Sequence, residues 1–233
     1  MIRKQQEFTR GVRAGLPISL SYFPIAVAFG ALAVQADLTW FEATLMSLLV
    51  FAGASQFVSI SMLLAGAGML QIIAATFILN LRHLIMSLTV QARIRFFPQA
   101  WKNLLSFGIT DETFALLTLG GREEGSSGEL TPRYVLGLMS TAYLGWVSGS
   151  AAGGLGAGFV PESITTSMTV GLYAMFIGLL VPAARESKLL AGIALVSMAA
   201  NTILGRFLES GWSIVISTLT AAGLGALVKE ERE

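Results

Sequence analysis

One hydrophobic stretch decides the fold class of this chain: from Ala43 to Ala92 it reads ATLMSLLVFAGASQFVSISMLLAGAGMLQIIAATFILNLRHLIMSLTVQA. Arg82 and His83 are its only charged or histidine side chains, and His83 is the single histidine of the whole chain. Because lipid offers no partner to backbone N–H and C=O groups, long apolar runs form helices there. We therefore predict a helical membrane protein in which the ionisable groups of this stretch are functional.

The overall composition supports a membrane protein. Hydrophobic residues make up 54% of the 233 residues and charged residues 12%, whereas a soluble domain has roughly 25% charged residues. A formal net charge of +1 offers no basic stripe for nucleic acid. The absence of cysteine excludes disulfides, thiolate metal ligands and cysteine nucleophiles. We expect one transmembrane domain over residues 1–233, with a cytoplasmic N-terminal segment (1–13) and a short polar tail (229–233).

Short polar breaks divide the chain into apolar segments, which predict an all-α, polytopic fold with seven or eight transmembrane segments, some of them discontinuous. The eighth segment, Leu104–Leu119, is short and contains Asp111 and Glu112. The seven clear segments are Ala14–Val34, Ala43–Gly66, Gly68–Val90, Tyr134–Gly158, Ser167–Ala184, Leu189–Gly205 and Gly211–Val228.

The distribution of Lys and Arg favours a cytoplasmic N-terminus. If all eight segments cross, however, Arg93, Arg95 and Lys102 fall on the outer side, against the excess of positive charge expected inside. A re-entrant segment before Gln91 would remove this conflict.

Particular residues predict where the helices break and how they pack. Pro17 and Pro24 in the first span, and Gly53 in the second, are candidate interruptions, with a tolerated kink as the alternative. Thr110 is a suitable N-cap for the acidic residues that follow it, which predicts two half-helices or, alternatively, an interfacial helix with its acids in water. Small residues every four positions predict close helix packing along one face, formed by Gly145, Gly149 and Gly153.

A polar stripe follows one face of the helix predicted around Arg82. Thr76, Asn80, His83 and Ser87 recur at spacings of four, three and four, whereas Arg82 points to another side. Such a stripe could line a substrate or proton path, with Arg82 fixing an anion or a carboxylate. The alternative is a structural hydrogen-bond cluster in which Arg82 extends toward the helix end.

Further polar residues in apolar segments are candidates for the same site. A buried arginine needs an acid, so Arg82 is expected to pair with Asp111 or Glu112. Gln56 lies in a run of small residues that admits either a ligand or a neighbouring helix. Asn201 is a weaker candidate and favours an interhelical hydrogen bond.

Three motifs resemble those of the AzlC-type large subunits of branched-chain amino acid exporters: FAGASQF (51–57), NLRH (80–83) and TDETFA (110–115). The resemblance implies an exporter in the bacterial inner membrane for branched-chain or other hydrophobic amino acids. It also implies an antiporter driven by the proton gradient, with no cofactor, that is paired with a small AzlD-type membrane subunit. Where the family has an aspartate-phenylalanine pair, this chain has Thr169 to Leu172.

The implied substrate is a zwitterion, which suggests roles for the candidate residues. Arg82 or the half-helix after Thr110 would bind the carboxylate, Asp111 or Glu112 would bind the ammonium group, and His83 would couple protons. The full candidate set is Gln56, Asn80, Arg82, His83, Asp111 and Glu112, with Gly53, Ser55, Thr110 and Asn201 as secondary candidates.

Two other functions remain open, namely a channel for small solutes and a non-transporting membrane scaffold. A saturable, gradient-coupled flux would distinguish a carrier from a channel. An enzyme is disfavoured because the chain has neither Gly-x-Ser-x-Gly nor His-Glu-x-x-His, and no His/Cys metal cluster.

Overall fold

The computed structural model describes residues 2–119, 130–159, 177–178, 180–182, 184–185 and 187–230, and these contain helices but no strand. The all-α prediction is confirmed. Most of the predicted segment Ser167–Ala184 lies outside the described residues. The helices are α1 (Ile2–Gln35), α2 (Trp40–Val50), α3 (Gly53–Leu64), α4 (Met69–Arg93), α5 (Gln99–Ser106), α6 (Asp111–Leu119), α7 (Pro132–Gly156), α8 (Lys188–Leu204) and α9 (Ser210–Glu230).

The chain divides into two compact units, Met1–Gln56 with Asn80–Thr165, and Phe57–Leu79 with Thr166–Glu233. The prediction of a single transmembrane domain stays a prediction. Two described helices are long and apolar enough to cross a membrane, one within α1 and the other α4. The apolar helices α2, α3 and α8 and the apolar part of α9 are shorter.

In the first unit, α7 packs directly against the backbone of α1 through the predicted glycine face. Cβ atoms added at Gly145, Gly149 or Gly153 would collide with α1. At Gly149 the added atom would lie 2.5 Å from the carbonyl oxygen of Phe23. The predicted role of these glycines in close packing is confirmed.

The same contacts show that α1 and α7 run in the same direction. Gly11, near the start of α1, lies against Tyr134, and Gly30, near its end, lies against Gly154. α1 continues through both of its prolines, so of the two alternatives the interruption is wrong and the prolines are tolerated within the helix. The prolines lie within the helix, which is tolerated where neighbouring helices surround the freed carbonyl groups.

α2 runs antiparallel to α7 and ends in the middle of it. Trp40, at the start of α2, packs against Gly154, whereas Leu48, near its end, accepts a hydrogen bond from the Tyr143 hydroxyl at 2.9 Å. The helix ends at Phe51, which has a left-handed backbone with φ of 43°. The helix therefore ends inside the predicted second span, Ala43–Gly66.

The chain then folds back on itself, because Gln56 donates a hydrogen bond to Ser47, nine residues earlier, at 2.9 Å. Nine residues of continuous helix would rise about 13.5 Å, too far for these two side chains to meet. The interruption considered at Gly53 is present, because α3 begins there, and a side chain at this position would collide with the Trp146 ring. We call α2 and α3 the first hairpin and Phe51–Ala52 its tip.

α5 and α6 form a second hairpin. The chain leaves α4 at Arg93 but is back beside Arg82 when α6 begins, since Arg82 contacts Asp111. α6 then runs along α4 again, and Arg93 donates a hydrogen bond to the carbonyl oxygen of Thr118 at 2.7 Å. The predicted helix break before Asp111 is present: α5 ends at Ser106 and α6 begins at Asp111, with a tip at Phe107–Thr110.

The end of α4 lies beside the start of α7. Ile94 and Val135 line one cavity of about 180 Å³, and Thr131, which caps α7, donates a hydrogen bond to Glu7 of α1 at 3.2 Å. The residues that follow α4 are therefore at the N-terminal end of α1. This is the arrangement that the re-entrant alternative requires.

The second unit has its own polar and apolar contacts. Gln71 of α4 donates a hydrogen bond to Glu209. A small hydrophobic cluster joins Met62 and Ala75 to Val215 of α9. α8 and α9 line a further cavity of about 340 Å³.

Candidate functional site

The two hairpin tips meet beside the middle of α7. The ring centroids of Phe51 and Phe107 are 6.1 Å apart. Tyr143 of α7 contacts both rings, at 5.0 Å and 5.8 Å respectively. Helix breaks of this kind leave backbone groups unpaired beside a cavity, which is how many transporters build a binding site.

Arg82 of α4 forms an ion pair with Asp111 at the second tip. The distance from Nη1 to Oδ2 is 2.8 Å, and the side chains are 30% and 33% exposed. Asp111 lies in the first turn of α6, which Thr110 caps by accepting a hydrogen bond from the Thr113 N–H at 3.3 Å. The positive end of the helix and the guanidinium group both stabilise this carboxylate. Of the two acids expected from sequence, the structure pairs Arg82 with Asp111.

Two buried polar atoms on α4 have no hydrogen-bond partner among the described residues. Ser55 donates to the Ala52 carbonyl at 2.9 Å, so its oxygen accepts from the Asn80 amide nitrogen at 3.1 Å. This orientation leaves Asn80 Oδ1 as a buried acceptor without a donor. Arg82 Nε is a buried donor without an acceptor. Each such atom costs about 1–3 kcal/mol if it stays unpaired, and a polar ligand would remove that cost.

Glu112 is held by a residue that sequence reasoning missed. Tyr22 of α1 is only 7% exposed, and its hydroxyl is hydrogen-bonded both to Glu112 and, at 2.7 Å, to Thr110 Oγ1. A buried tyrosine hydroxyl needs a polar partner, so a tyrosine inside an apolar span was the available signal.

Gln56 is completely buried and connects the first hairpin to α7. Its Oε1 accepts hydrogen bonds from Trp146 Nε1 at 3.0 Å and from the backbone N–H of Ala52 at 3.3 Å. Its amide nitrogen donates to Ser47, whose hydroxyl is 2.6 Å from that of Ser150. Through these hydrogen bonds Gln56 fixes the tip of the first hairpin against α7. Trp146 and Ser47 belong to the same hydrogen-bonded network.

The remaining candidates divide between the two units. His83 lies on α4, half-buried, and interacts electrostatically with Arg82 and Asp111. Gly53 and Ser55 start α3 at the first tip. Asn201 belongs to the second unit, where its side-chain and backbone oxygens accept hydrogen bonds from Ser213 of α9. That is the interhelical bond which the sequence favours for Asn201.

Comparison with known proteins gives a consistent family assignment. The model of the AzlC protein family matches residues 17–160. An uncharacterized membrane protein of Archaeoglobus fulgidus is 34% identical over 184 residues, covering 78% of each chain. Inner membrane protein YgaZ of Escherichia coli is 29% identical over 225 residues, covering 94% of this chain and 88% of its own. The branched-chain amino acid transport protein AzlC of Bacillus subtilis is 24% identical over 211 residues, covering 88% and 81%. No solved structure matches.

Proposed function

The chain belongs to the AzlC family of membrane transport proteins, and from that premise we propose that it is a secondary carrier that exports branched-chain or other hydrophobic amino acids. The name of the Bacillus subtilis relative supports the substrate class. Membership of a transport family also argues against an enzyme. The observation that carries the proposal is the partly exposed ion pair of Arg82 and Asp111 at a broken helix.

The ion pair offers both charges that a zwitterionic substrate needs. The substrate carboxylate would bind Arg82, including its unpaired Nε, and the ammonium group would bind Asp111 and Asn80 Oδ1. Since the substrate brings one charge of each sign, it can enter between the two side chains without leaving either charge unpaired. The exposed ring of Phe107, which packs on the buried ring of Phe51, offers an apolar surface to its side chain.

The proposal also specifies the direction of transport, its coupling to protons and the partner subunit. The resemblance to the exporter family supports outward transport driven by the proton gradient, and a small AzlD-type membrane subunit as partner. His83 is the coupling residue proposed from sequence, and its electrostatic interaction with Arg82 and Asp111 supports such a role. Replacing His83 with glutamine should abolish the pH dependence of export, and unchanged pH dependence would exclude this role.

Transport of radiolabelled leucine, isoleucine, valine and methionine into inverted membrane vesicles tests the carrier function. With the small subunit present, uptake should saturate and should collapse with an uncoupler. Flux that does not saturate would indicate a channel. If no flux is observed and substitution of Arg82 changes only the assembly with the small subunit, the chain is a scaffold.

Arg82→Gln tests the site itself, and Arg93→Gln is the matched control because it removes the same group from the end of the same helix. Loss of one charged hydrogen bond costs about 1.5–3 kcal/mol, so Arg82→Gln should weaken leucine binding by about 10-fold to 150-fold. Arg93→Gln should bind leucine as the unchanged protein does. Equal effects of the two substitutions would refute a binding role for Arg82.

The hairpins also suggest how the chain lies in the membrane. If each hairpin enters and leaves on one side, α1 and α4 cross in opposite directions. The N-terminus then shares the cytoplasmic side with Arg93, Arg95 and Lys102, in agreement with the positive-inside rule. This proposal removes the charge conflict of the eight-crossing arrangement.

Because the chain has no cysteine, single introduced cysteines can report the sidedness directly. A membrane-impermeant thiol reagent should label Lys102→Cys in inverted vesicles but not in spheroplasts. Asp37→Cys, in the link between α1 and α2, is the control and should show the opposite pattern. Labelling of Lys102→Cys in spheroplasts would refute the re-entrant arrangement.

A further inference from the structure

The cavity of about 180 Å³ beside the end of α4 is lined by other residues than those of the ion-pair site. It lies between the last turns of α4, the helix α5 and the first turns of α7, and we call it the α4–α5 cavity. One part of its wall is apolar and includes Ile94, Leu105, Val135 and Met139. The other part is polar and consists of Ser87, Gln91, Gln99, Lys102, Asn103 and Ser106. An apolar wall with a few polar groups is typical of a small-molecule site.

A row of polar side chains on one side of α4 leads from the ion-pair site to this cavity. Its members recur every three or four residues and are Asn80, His83, Ser87 and Gln91. Asn80 lies at the site, where its Oδ1 is a buried acceptor, whereas Ser87 and Gln91 line the cavity. Ser87 is one helical turn, about 6 Å, beyond His83. The cavity is therefore the far end of the polar face that begins at the site.

The second hairpin tip borders both the cavity and the ion pair. Ser106 and Ile109 line the cavity, and Asp111, which pairs with Arg82, follows Ile109 by two residues. Met139 also lines the cavity and packs against Gly108 of the tip, where an added Cβ would lie 2.7 Å from the methionine sulfur. A molecule in the cavity is thus in contact with the tip that carries the ion pair.

The polar groups of the cavity match the two charges of a zwitterion. The Lys102 ammonium group donates one hydrogen bond to the Arg95 carbonyl oxygen at 2.9 Å and has two further hydrogens for a carboxylate. The Gln99 amide nitrogen donates to Asn103 Oδ1 at 2.9 Å. Gln99 Oε1 accepts no hydrogen bond from a described residue, so it can accept one from an ammonium group.

The size and the apolar wall of the cavity match a hydrophobic amino acid. Pockets for drug-sized ligands measure roughly 300–1,000 Å³, and this cavity, with its 180 Å³, is smaller. The apolar wall formed by both α4 and α7 would bury an aliphatic side chain and stabilise it by the hydrophobic effect.

We propose that the α4–α5 cavity is an entry site, which binds the hydrophobic amino acid before it reaches the Arg82–Asp111 ion pair. The proposal rests on the proposed carrier function and adds a second binding site for the same substrate. Lys102 binds the carboxylate and Gln99 the ammonium group. Met139 has a flexible, unbranched side chain, and its displacement lets the amino acid pass the second tip. In the re-entrant arrangement Lys102 is cytoplasmic, which is the side from which an exporter takes its substrate.

Protection of introduced thiols by leucine tests the entry site, because the chain has no cysteine. Ser87→Cys and Ser106→Cys place a thiol on the α4 wall and the α5 wall. The labelling rate by a water-soluble maleimide is measured on the whole protein in lipid nanodiscs. At ten times its dissociation constant, leucine should slow both reactions about 10-fold, since about one-tenth of the sites stay empty. Arg95→Cys, exposed in the link between α4 and α5 and outside the cavity wall, is the control, and leucine should not change its rate.

The same labelling in an Arg82→Gln background shows where the protecting leucine binds. The leucine concentration that halves the rate should stay within about twofold, because the cavity binds leucine without Arg82. A rise of about 10-fold or more, which is the loss expected at the ion pair itself, would overturn the proposal. Rates that respond to the anionic lipid content of the nanodisc but not to leucine would assign the cavity to a lipid headgroup and would also overturn it.

Leucine transport by these variants separates the entry site from the carrier function. Attaching the maleimide to Ser87→Cys should block transport, whereas attaching it to Arg95→Cys should not. Leucine transport without protection at Ser87→Cys and Ser106→Cys would refute the entry site and leave the carrier function standing. Protection without any leucine flux would support amino acid binding in the cavity and refute the carrier.

Discussion

Replacing Gln56 with leucine should destabilise the protein strongly, because the Gln56 amide connects the first hairpin to α7. The substitution keeps a similar volume but removes the acceptor of Trp146 Nε1 and of the Ala52 N–H. A buried donor that loses its acceptor costs about 1–3 kcal/mol, so the expected loss is about 2–6 kcal/mol. The free energy of unfolding of a folded domain is typically about 5–15 kcal/mol, so this loss is a large part of it.

The assay is reversible unfolding in mixed micelles, followed by circular dichroism, in a double-mutant cycle with Trp146→Phe. The phenylalanine side chain has no N–H. In the double variant the Ala52 N–H is therefore the one donor that has lost the Gln56 acceptor. The two substitutions should therefore be less damaging together than their sum, by about 1–3 kcal/mol. Additive effects, or a Gln56→Leu variant within about 0.5 kcal/mol of the unchanged protein, would refute the role assigned to Gln56.

Two further predictions concern the helix contacts and use the same assay. Gly149→Ala should destabilise the protein by about 1–3 kcal/mol, because its Cβ would lie 2.5 Å from the Phe23 carbonyl oxygen. Gly192→Ala, where nothing lies within 4 Å of the added Cβ, should stabilise the protein by about 0.5–1 kcal/mol. Effects of the same sign for both substitutions would contradict the close packing at Gly149. Thr39→Ala should cost about 1 kcal/mol through loss of the capping box with Glu42, and an unchanged unfolding midpoint would show that this cap contributes nothing.

The sequence was sufficient for those features that depend on neighbouring residues. The N-cap at Thr110, the candidate helix break at Gly53 and the glycine face of α7 all follow from local chemistry or helical spacing. The direction that the chain takes after a helix break cannot be predicted in this way, because helical periodicity is the same whether the next helix continues onward or folds back. The two hairpins were therefore visible only from long-range contacts, such as that between Arg93 and Thr118.

The site shows the same division between local and long-range information. Charge alone predicted that Arg82 needs an acid, but choosing between two consecutive acids required the path of the chain. Tyr22 was missed because its partners are 88 and 90 residues away. Sequence left open whether the two prolines of α1 interrupt the helix or are tolerated in it, because that choice depends on the packing of α1 against α7.

The backbone contact between α1 and α7 restricts how these helices can move during a transport cycle. Because α1 carbonyl oxygens lie in the spaces left by Gly149 and Gly153, a small slide of α1 along α7 would push these oxygens out of them. The next position in which the glycines again face carbonyl oxygens is four residues away, about 6 Å along the helix axis. We therefore expect this pair of helices to move as one rigid unit, with discrete rather than continuous settings relative to each other.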